Sequence, residues 1–399
     1  MQKIPIFSFC NFYILLWLVY SLQSMVFGAS GTIYSQVIFF FQLLVSIYYT
    51  GYALHYYKMP SYMKALTVFV LVLTIYGFIL LASPVSYSAV PNYVYLQGLF
   101  ISLLPIYPFY IFTRQGKLTR ASLRWWTLLF FVAVTLQYFL QRQNMLMKLA
   151  QIGSQREEIT NNTGYDFLSV IPLLAFFSKK KIVQYAGLVY VMIFILMCMK
   201  RGAILIGTVC VVWFLYLSLK NAKRGNKIAI IFLSVVAILI SCFALNNLLE
   251  NSDYFNQRIE QTLAGDSSGR DEIYETLLAH FLNESNPLMF MFGNGANGTL
   301  KITGHNAHND WLELAINQGL LGIVIYFTYW FCFYKSMKRK RYDEELFMAT
   351  SLLFVSNLLR SFFSMSYGDM SIYATVCLGY CMGAHYLPRK SVNKSPKVH

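Results

Sequence analysis

Twelve apolar runs, most of them close to 20 residues long, follow one another along this chain of 399 residues. A hydrocarbon layer about 30 Å thick takes about 20 residues of α-helix to cross. Inside it a segment has to satisfy its own backbone polar groups, which helices do and isolated strands do not. The runs cover residues 6–27, 31–55, 62–82, 93–112, 123–140, 165–178, 182–199, 202–219, 228–246, 318–334, 346–363 and 370–387. The sixth is short, and a join or split there would change the count. The expected class is all-α: one polytopic membrane domain over residues 1–399, with about twelve transmembrane helices. Composition agrees, because only 12% of residues are charged against about 25% in soluble domains.

The net charge of +15 would suggest nucleic acid in a soluble protein. Here it has a simpler origin, since cytoplasmic loops of membrane proteins are enriched in Lys and Arg. The basic loops after the second, fourth, sixth, eighth and tenth runs fall on one side, with both termini. That side is expected to be cytoplasmic, and the first run, after Lys3, an uncleaved span. No nucleic-acid partner is expected. The seven cysteines, Cys10, Cys198, Cys210, Cys242, Cys332, Cys377 and Cys381, all lie in apolar runs, so neither a disulfide framework nor a thiolate metal site is expected.

Two outer loops are long, residues 141–164 and 247–317. In the second, Ser268 and Asp271 have the spacing of a capping box, and Ile273, Tyr274, Leu277, Leu278, Phe281 and Leu282 follow a helical period. Asn286-Pro287 is expected to end that helix, and Gly293 to Gly298 reads as a turn-rich connector. The loop closes on Gly304-His305-Asn306-Ala307-His308-Asn309-Asp310-Trp311-Leu312-Glu313. Asp310 and Glu313 again have capping-box spacing, so a helix is expected to start at Asp310 with His308 just before it. Backbone N–H groups at such a terminus favour anions.

Chemistry in so apolar a chain falls to a few polar groups. Lys200-Arg201-Gly202 lies between two runs at their outer end, against the charge trend. Charge at membrane depth points to function by default, although a pair snorkelling to the headgroups would look the same. Arg270 heads the loop helix on the face of Tyr274, Leu277 and Phe281. An ordinary solvated arginine is the competing reading, Arg258 its nearest rival, and Arg360 a further candidate near the outer end of its run. His305 and His308 would share one face of a helix, but no third ligand stands at a familiar spacing, so no metal is assigned. A neutral histidine serves as a general base near neutral pH. Arginines hold pyrophosphate through permanent, bidentate charge. Together these groups could take a proton from a sugar hydroxyl while a lipid pyrophosphate leaves.

At these residues the chain resembles the O-antigen polymerase and O-antigen ligase superfamily. The resemblance is carried by His308-Asn309 followed by Gly319 and Gly322, by Arg201-Gly202-Ala203 opening a run, and by Arg270 leading through Asn286-Pro287 to Gly293-Asn294-Gly295. Asn161-Asn162-Thr163-Gly164 is similar to a further family segment, less specifically. The resemblance implies a GT-C-like membrane glycosyltransferase of the metal-independent branch, without cofactor. It implies His308 as catalytic base and Arg201 and Arg270 as pyrophosphate binders; His305 departs from the family pattern, and His305, Asn309, Arg258 and Arg360 stand as further candidate site residues from the sequence. The first outer loop, Gly28 to Gly31, has no carboxylate, unlike metal-using relatives of that class.

The expected activity is polymerisation of a surface polysaccharide, O-antigen, capsule or exopolysaccharide, on the outer face of a bacterial cytoplasmic membrane. A glycan would pass from undecaprenyl pyrophosphate to a hydroxyl of the next lipid-linked repeat unit. Membrane lipids, a chain-length regulator and a flippase are the expected partners. The alternative within the class is a ligase that passes the glycan to lipid A-core or another acceptor. The alternative outside it is a flippase for the lipid-linked oligosaccharide.

Overall fold

The computed structural model describes residues 8–26, 32–86, 91–151, 159–222, 224–263 and 269–384. Among these residues the regular structure is wholly helical. The first half of the chain forms α1 (Phe9–Val26), α2 (Ile33–Tyr56), α3 (Ser61–Leu81), α4 (Tyr93–Leu103), α5 (Ile106–Arg114), α6 (Arg120–Gln151), α7 (Gly164–Val170) and α8 (Lys181–Met197). The second half forms α9 (Arg201–Lys220), α10 (Arg224–Asn251), α11 (Asp253–Leu263), α12 (Arg270–Leu282), α13 (Pro287–Phe292), α14 (Gly298–Thr303), α15 (Asp310–Lys338), α16 (Glu344–Phe363) and α17 (Ile372–Ala384). A 3₁₀ helix, Ile171–Phe177, continues α7.

All twelve expected runs fall on helices. Eight helical segments among the described residues are long and apolar enough to cross a membrane: α2, α3, α4 with α5, α6, α9, α10 from Lys227, α15 and α16. Four shorter apolar helices, Phe9–Leu22, Gly164–Phe177, Lys181–Met197 and Ile372–Ala384, complete the bundle. The fold is a polytopic bundle with its apolar residues on the outside as well as in the core. Val68, Leu71, Ile75 and Phe78 stand exposed on α3, and Ile231, Phe232, Val235 and Leu239 on α10. Continuous exposed apolar faces of this size are what lipid covers.

Local chemistry explains the irregular helices. Pro105, which has no N–H to give a helix, separates α4 from α5. The short sixth run tightens into 3₁₀ geometry at Ile171-Pro172. That lengthens its rise to roughly 2.0 Å per residue. Every residue of the 3₁₀ helix is buried, so protein surrounds it. α5 and α17 lie unusually close, because Gly379 and Gly383 form a Gly-x-x-x-Gly face. A β-carbon on Gly379 would stand 2.5 Å from Phe109 Cβ, and one on Gly383 would stand 2.6 Å from Thr113 Cβ.

The second outer loop is helical as expected, and it holds more helices than the one read from the sequence; the first differs from expectation. α6 runs on through Gln151, into the segment read as loop. The 247–317 segment holds the end of α10, then α11 to α14. Asn286-Pro287 starts a helix, where the expectation had it end one. α12 stops at Leu282, and Asn286 caps α13 by accepting from the Leu288 N–H at 3.0 Å. Pro287 sits at the first helical position, where its missing N–H costs nothing.

Candidate active site

The start of α15 organises the polar cluster. The helix begins at Asp310 as expected, but Asn309 is its cap: its Oδ1 accepts from the N–H groups of Trp311 (2.9 Å) and Leu312 (3.2 Å). Asp310 instead turns inward. It accepts from the Ser366 N–H at 2.8 Å and the Tyr326 hydroxyl at 2.6 Å, and also from the Ser366 hydroxyl. Buried Glu313 accepts from the Ala307 N–H at 2.9 Å and the Thr299 hydroxyl at 2.6 Å. These two carboxylates pin the stretch carrying His308 to the bundle and to α14. Residues 304–309 are not helical, so the expected shared helical face for His305 and His308 does not form. His308 has φ of +51°, the left-handed region that a β-carbon opposes at roughly 1–2 kcal/mol.

Further along, α15 breaks at Gly319, which has φ +65° and ψ −155°. The break lets the α13–α14 connector cross it backbone to backbone. A β-carbon on Gly319 would stand 2.6 Å from Gly293 N, and one on Gly293 would stand 2.5 Å from Gly319 N. Asn294 N–H donates to Ile316 O at 2.8 Å, and Gly295 N–H to Asn317 O at 3.0 Å. The outer helices are thereby held against the first part of α15.

Three further elements converge on His308. α12 presents Arg270, whose Nη1 donates to the Phe363 carbonyl at the end of α16 (3.1 Å). The expected face of α12 is the packed one, with Leu277 buried beside Ala307 and Ile316. Tyr274, one turn on, stands close enough to Arg270 and Asn309 for both to act on its hydroxyl. Asn309 Nδ2 in turn donates to the Phe362 carbonyl at 3.4 Å. α9 brings Lys200-Arg201-Gly202 to the same place. A β-carbon on Gly202 would stand 2.6 Å from the Tyr165 hydroxyl and 3.7 Å from Phe363 Cβ, so glycine makes room there for α7.

The electrostatics follow from this crowding of cations. Partial desolvation lowers the basicity of His308, and the charges of Arg270, Lys200 and His305 lower it further. The imidazole is therefore held neutral below its ordinary titration range. Burial raises the Tyr274 hydroxyl above its ordinary range, and Arg270 opposes that shift. A neutral imidazole acceptor and the cations of Arg270 and Lys200 thus lie together in a cleft beside the Asn309-capped start of α15. The arrangement can bind an anion and accept a proton beside it.

The structure brings together His308, Asn309 and Arg270; Arg201 opens α9 beside Gly202, whose neighbours are Tyr165 and Phe363. Lys200, passed over in favour of Arg201 in the sequence, is the α9-end charge that bears on His308. His305 is exposed and close enough for its charge to act on His308. Arg258 lies in α11, and its side chain is outside the described residues, as is Ser268. Arg360 is already compensated: its Nη2 donates to Asp369 at 2.5 Å and its guanidinium lies 4.6 Å from the Tyr165 ring centroid. Asn161 has a structural task, tying the Cys198 corner to α6. Its N–H donates to Cys198 O at 2.9 Å and its Nδ2 to Tyr138 O at 3.1 Å. Among the described residues no group of three or more His, Cys, Asp or Glu is placed to hold a metal ion.

Sequence reasoning missed Tyr165, the Arg360–Asp369 pair and the two carbonyls at the end of α16. The signal for Tyr165 was weak, an aromatic residue just after the Asn161 to Gly164 segment. Main-chain carbonyls leave no sequence signal at all.

No curated protein matches the chain. Residues 186–327 match the family model described as O-antigen ligase. The match runs from α8 past the break in α15, so it includes Arg201, Arg270, His308, Gly319 and Gly322 and leaves out Asn161 and Arg360. The matched stretch covers α9, α12 and the first part of α15 and leaves out α7 and α16, and over it the chain is similar to the O-antigen ligase family.

Proposed function

We propose that the protein transfers a glycan from a polyprenyl pyrophosphate to an acceptor hydroxyl, as a ligase. His308 takes the proton from the acceptor hydroxyl. Arg270 and Arg201 hold the donor pyrophosphate and stabilise it as it leaves, so the reaction runs without a metal ion. Lys200 adds to the same field. The observation that carries this reading is His308 kept neutral among cations at the mouth of α15. A base has to be unprotonated when its substrate arrives, and the arriving pyrophosphate then neutralises the cations that kept it so. The matched family's description favours ligation over the polymerisation expected from the sequence.

The lipid tail has a place in this reading. An apolar groove of about 390 Å³ is lined by α8, α9, α10 and α11. Its α9 wall begins at Ile204, less than one turn from Arg201. A pyrophosphate on Arg201 would leave its prenyl chain beside that groove. The cleft then opens on the outer face of the cytoplasmic membrane, with both chain termini inside, and the bundle is of the GT-C kind.

The test is reconstitution in EDTA with a lipid-pyrophosphate-linked glycan from the host and a lipid A-core acceptor. Transfer to the acceptor, lost in His308→Ala and Arg270→Ala, supports the ligase. A ladder of lengthening lipid-linked glycan without acceptor replaces it with the polymerase. Neither product from folded protein, with the labelled lipid moved across the vesicle wall, overturns transfer in favour of transport.

A further inference from the structure

The three helices that build the cleft, α9, α15 and α16, meet again at their other ends, about 30 Å away by helical rise. There they enclose a second pocket of about 580 Å³. Its mouth carries Lys220, Lys338 and Arg341, and its wall carries Trp213, Tyr216 and Tyr334. Lys220, Lys338 and Glu344 are terminal residues of the three membrane-crossing segments. The pocket therefore lies at headgroup depth, on the side where the basic loops gather.

We propose that this pocket binds the headgroup of an anionic phospholipid. Three cations face one carboxylate, Glu344. None of the three forms an ion pair among the described residues, where the pairs are Arg120 with Asp343 and Glu345, His280 with Glu284, and Arg360 with Asp369. They rest on aromatic rings instead. Lys338 Nζ lies 4.4 Å from the Tyr334 centroid, Lys220 Nζ 5.7 Å from that of Tyr216, and Arg341 Cζ 5.8 Å from that of Phe347. Rings hold the ammonium and guanidinium groups in place without cancelling their charge. Deeper in, Trp213 Nε1 donates to Ser351 Oγ at 3.2 Å, which pairs two polar atoms of a wall that Leu217, Met337, Phe347, Phe354 and Val355 otherwise make apolar. A phosphodiester suits the mouth and glycerol-linked chains suit the wall. Free phosphate would use only the mouth. Basic pockets between membrane helices on the cytoplasmic side take such lipids.

The test is native mass spectrometry of the full-length protein in mild detergent, with phosphatidylglycerol and phosphatidylcholine of identical chains. Phosphatidylglycerol should be retained over phosphatidylcholine by about tenfold or more. The double variant Lys338→Gln/Arg341→Gln should lose that preference. Glu344→Gln, which removes the only carboxylate among the described residues that line the pocket, should strengthen it, and this variant carries the test if the double variant does not fold. Inorganic phosphate at millimolar concentration should leave the lipid bound. Equal retention of the two lipids, or a preference untouched by either charge change, overturns the proposal. Displacement of the lipid by phosphate also overturns it, since the ligand is then a soluble anion.

Discussion

At position 308 an L-residue holds a backbone conformation that its own β-carbon opposes. Glycine accepts that conformation freely. His308→Gly should therefore unfold at a higher temperature than His308→Ala, by a margin worth about 1 kcal/mol. Both variants should lose about 10²–10⁴ in transfer rate, the usual yield of a general base. Thermal unfolding of the two proteins in one detergent, beside their transfer rates, checks both statements. Arg270 sets the working range of the same histidine. Its positive charge disfavours protonation of His308, so its removal raises the pKa of the imidazole. In Arg270→Gln the acid limb of the pH–rate profile should move to higher pH, toward the ordinary histidine range, beyond any fall in the plateau. A limb that stays in place would separate Arg270 from His308. At this scale residue type singled out His308 and Arg270 in the sequence, and the structure places the two close enough for the charge of one to act on the other. The sequence was ambiguous where two neighbours share a type. Asn309 and Asp310 are both good caps, and only the buried Ser366 and Tyr326 hydroxyls decide that Asp310 turns away.

Among elements, one close pairing is not revealed by the hydropathy of the chain. α5 and α17 touch through Gly379 and Gly383, with no room for a β-carbon at either. Gly379→Val should drive the helices apart and lower the unfolding temperature strongly. A valine on the lipid-facing side of α3, as in Leu71→Val, should change it little. Circular dichroism melts of the two variants make the comparison. Periodicity found the helices, because each crosses an apolar layer and says so in its composition. It did not find which helices touch, because that depends on small residues far apart in sequence. The Gly-x-x-x-Gly spacing was there to be read for α17, but nothing of the kind marks its partner. In the second outer loop the sequence showed α12 but not the short α13 and α14, which pack on α15 and carry little apolar length of their own.

For the molecule as a whole, α9, α15 and α16 each join the cleft to the basic pocket. The topology proposed above puts these on opposite sides of the membrane. In a background free of native cysteine, His305→Cys should react with an impermeant thiol reagent on intact cells. Lys220→Cys should react only after the membrane is opened. The reverse pattern would turn the protein over and put the cleft on the wrong side for a lipid-linked glycan. Loop charge alone gives this orientation, and the labelling tests it; the number of crossings is not given by charge. The four shorter apolar helices are partly enclosed by protein, and enclosure relaxes the length that lipid would demand.

The break in α15 has one more consequence. The helical bonds that would span Gly319 start from the carbonyls of Ile316, Asn317 and Gln318. Two of these three accept instead from Asn294 and Gly295. Those two amides lie in a glycine-rich connector, where exchange with solvent deuterium is ordinarily fast. Here they should exchange as slowly as amides of a packed helix. Their protection should vanish together with that of the first part of α15, as one cooperative unit. Hydrogen–deuterium exchange of a peptide covering 293–298 would show it, and rapid labelling there would mean that the connector leaves the helix in solution.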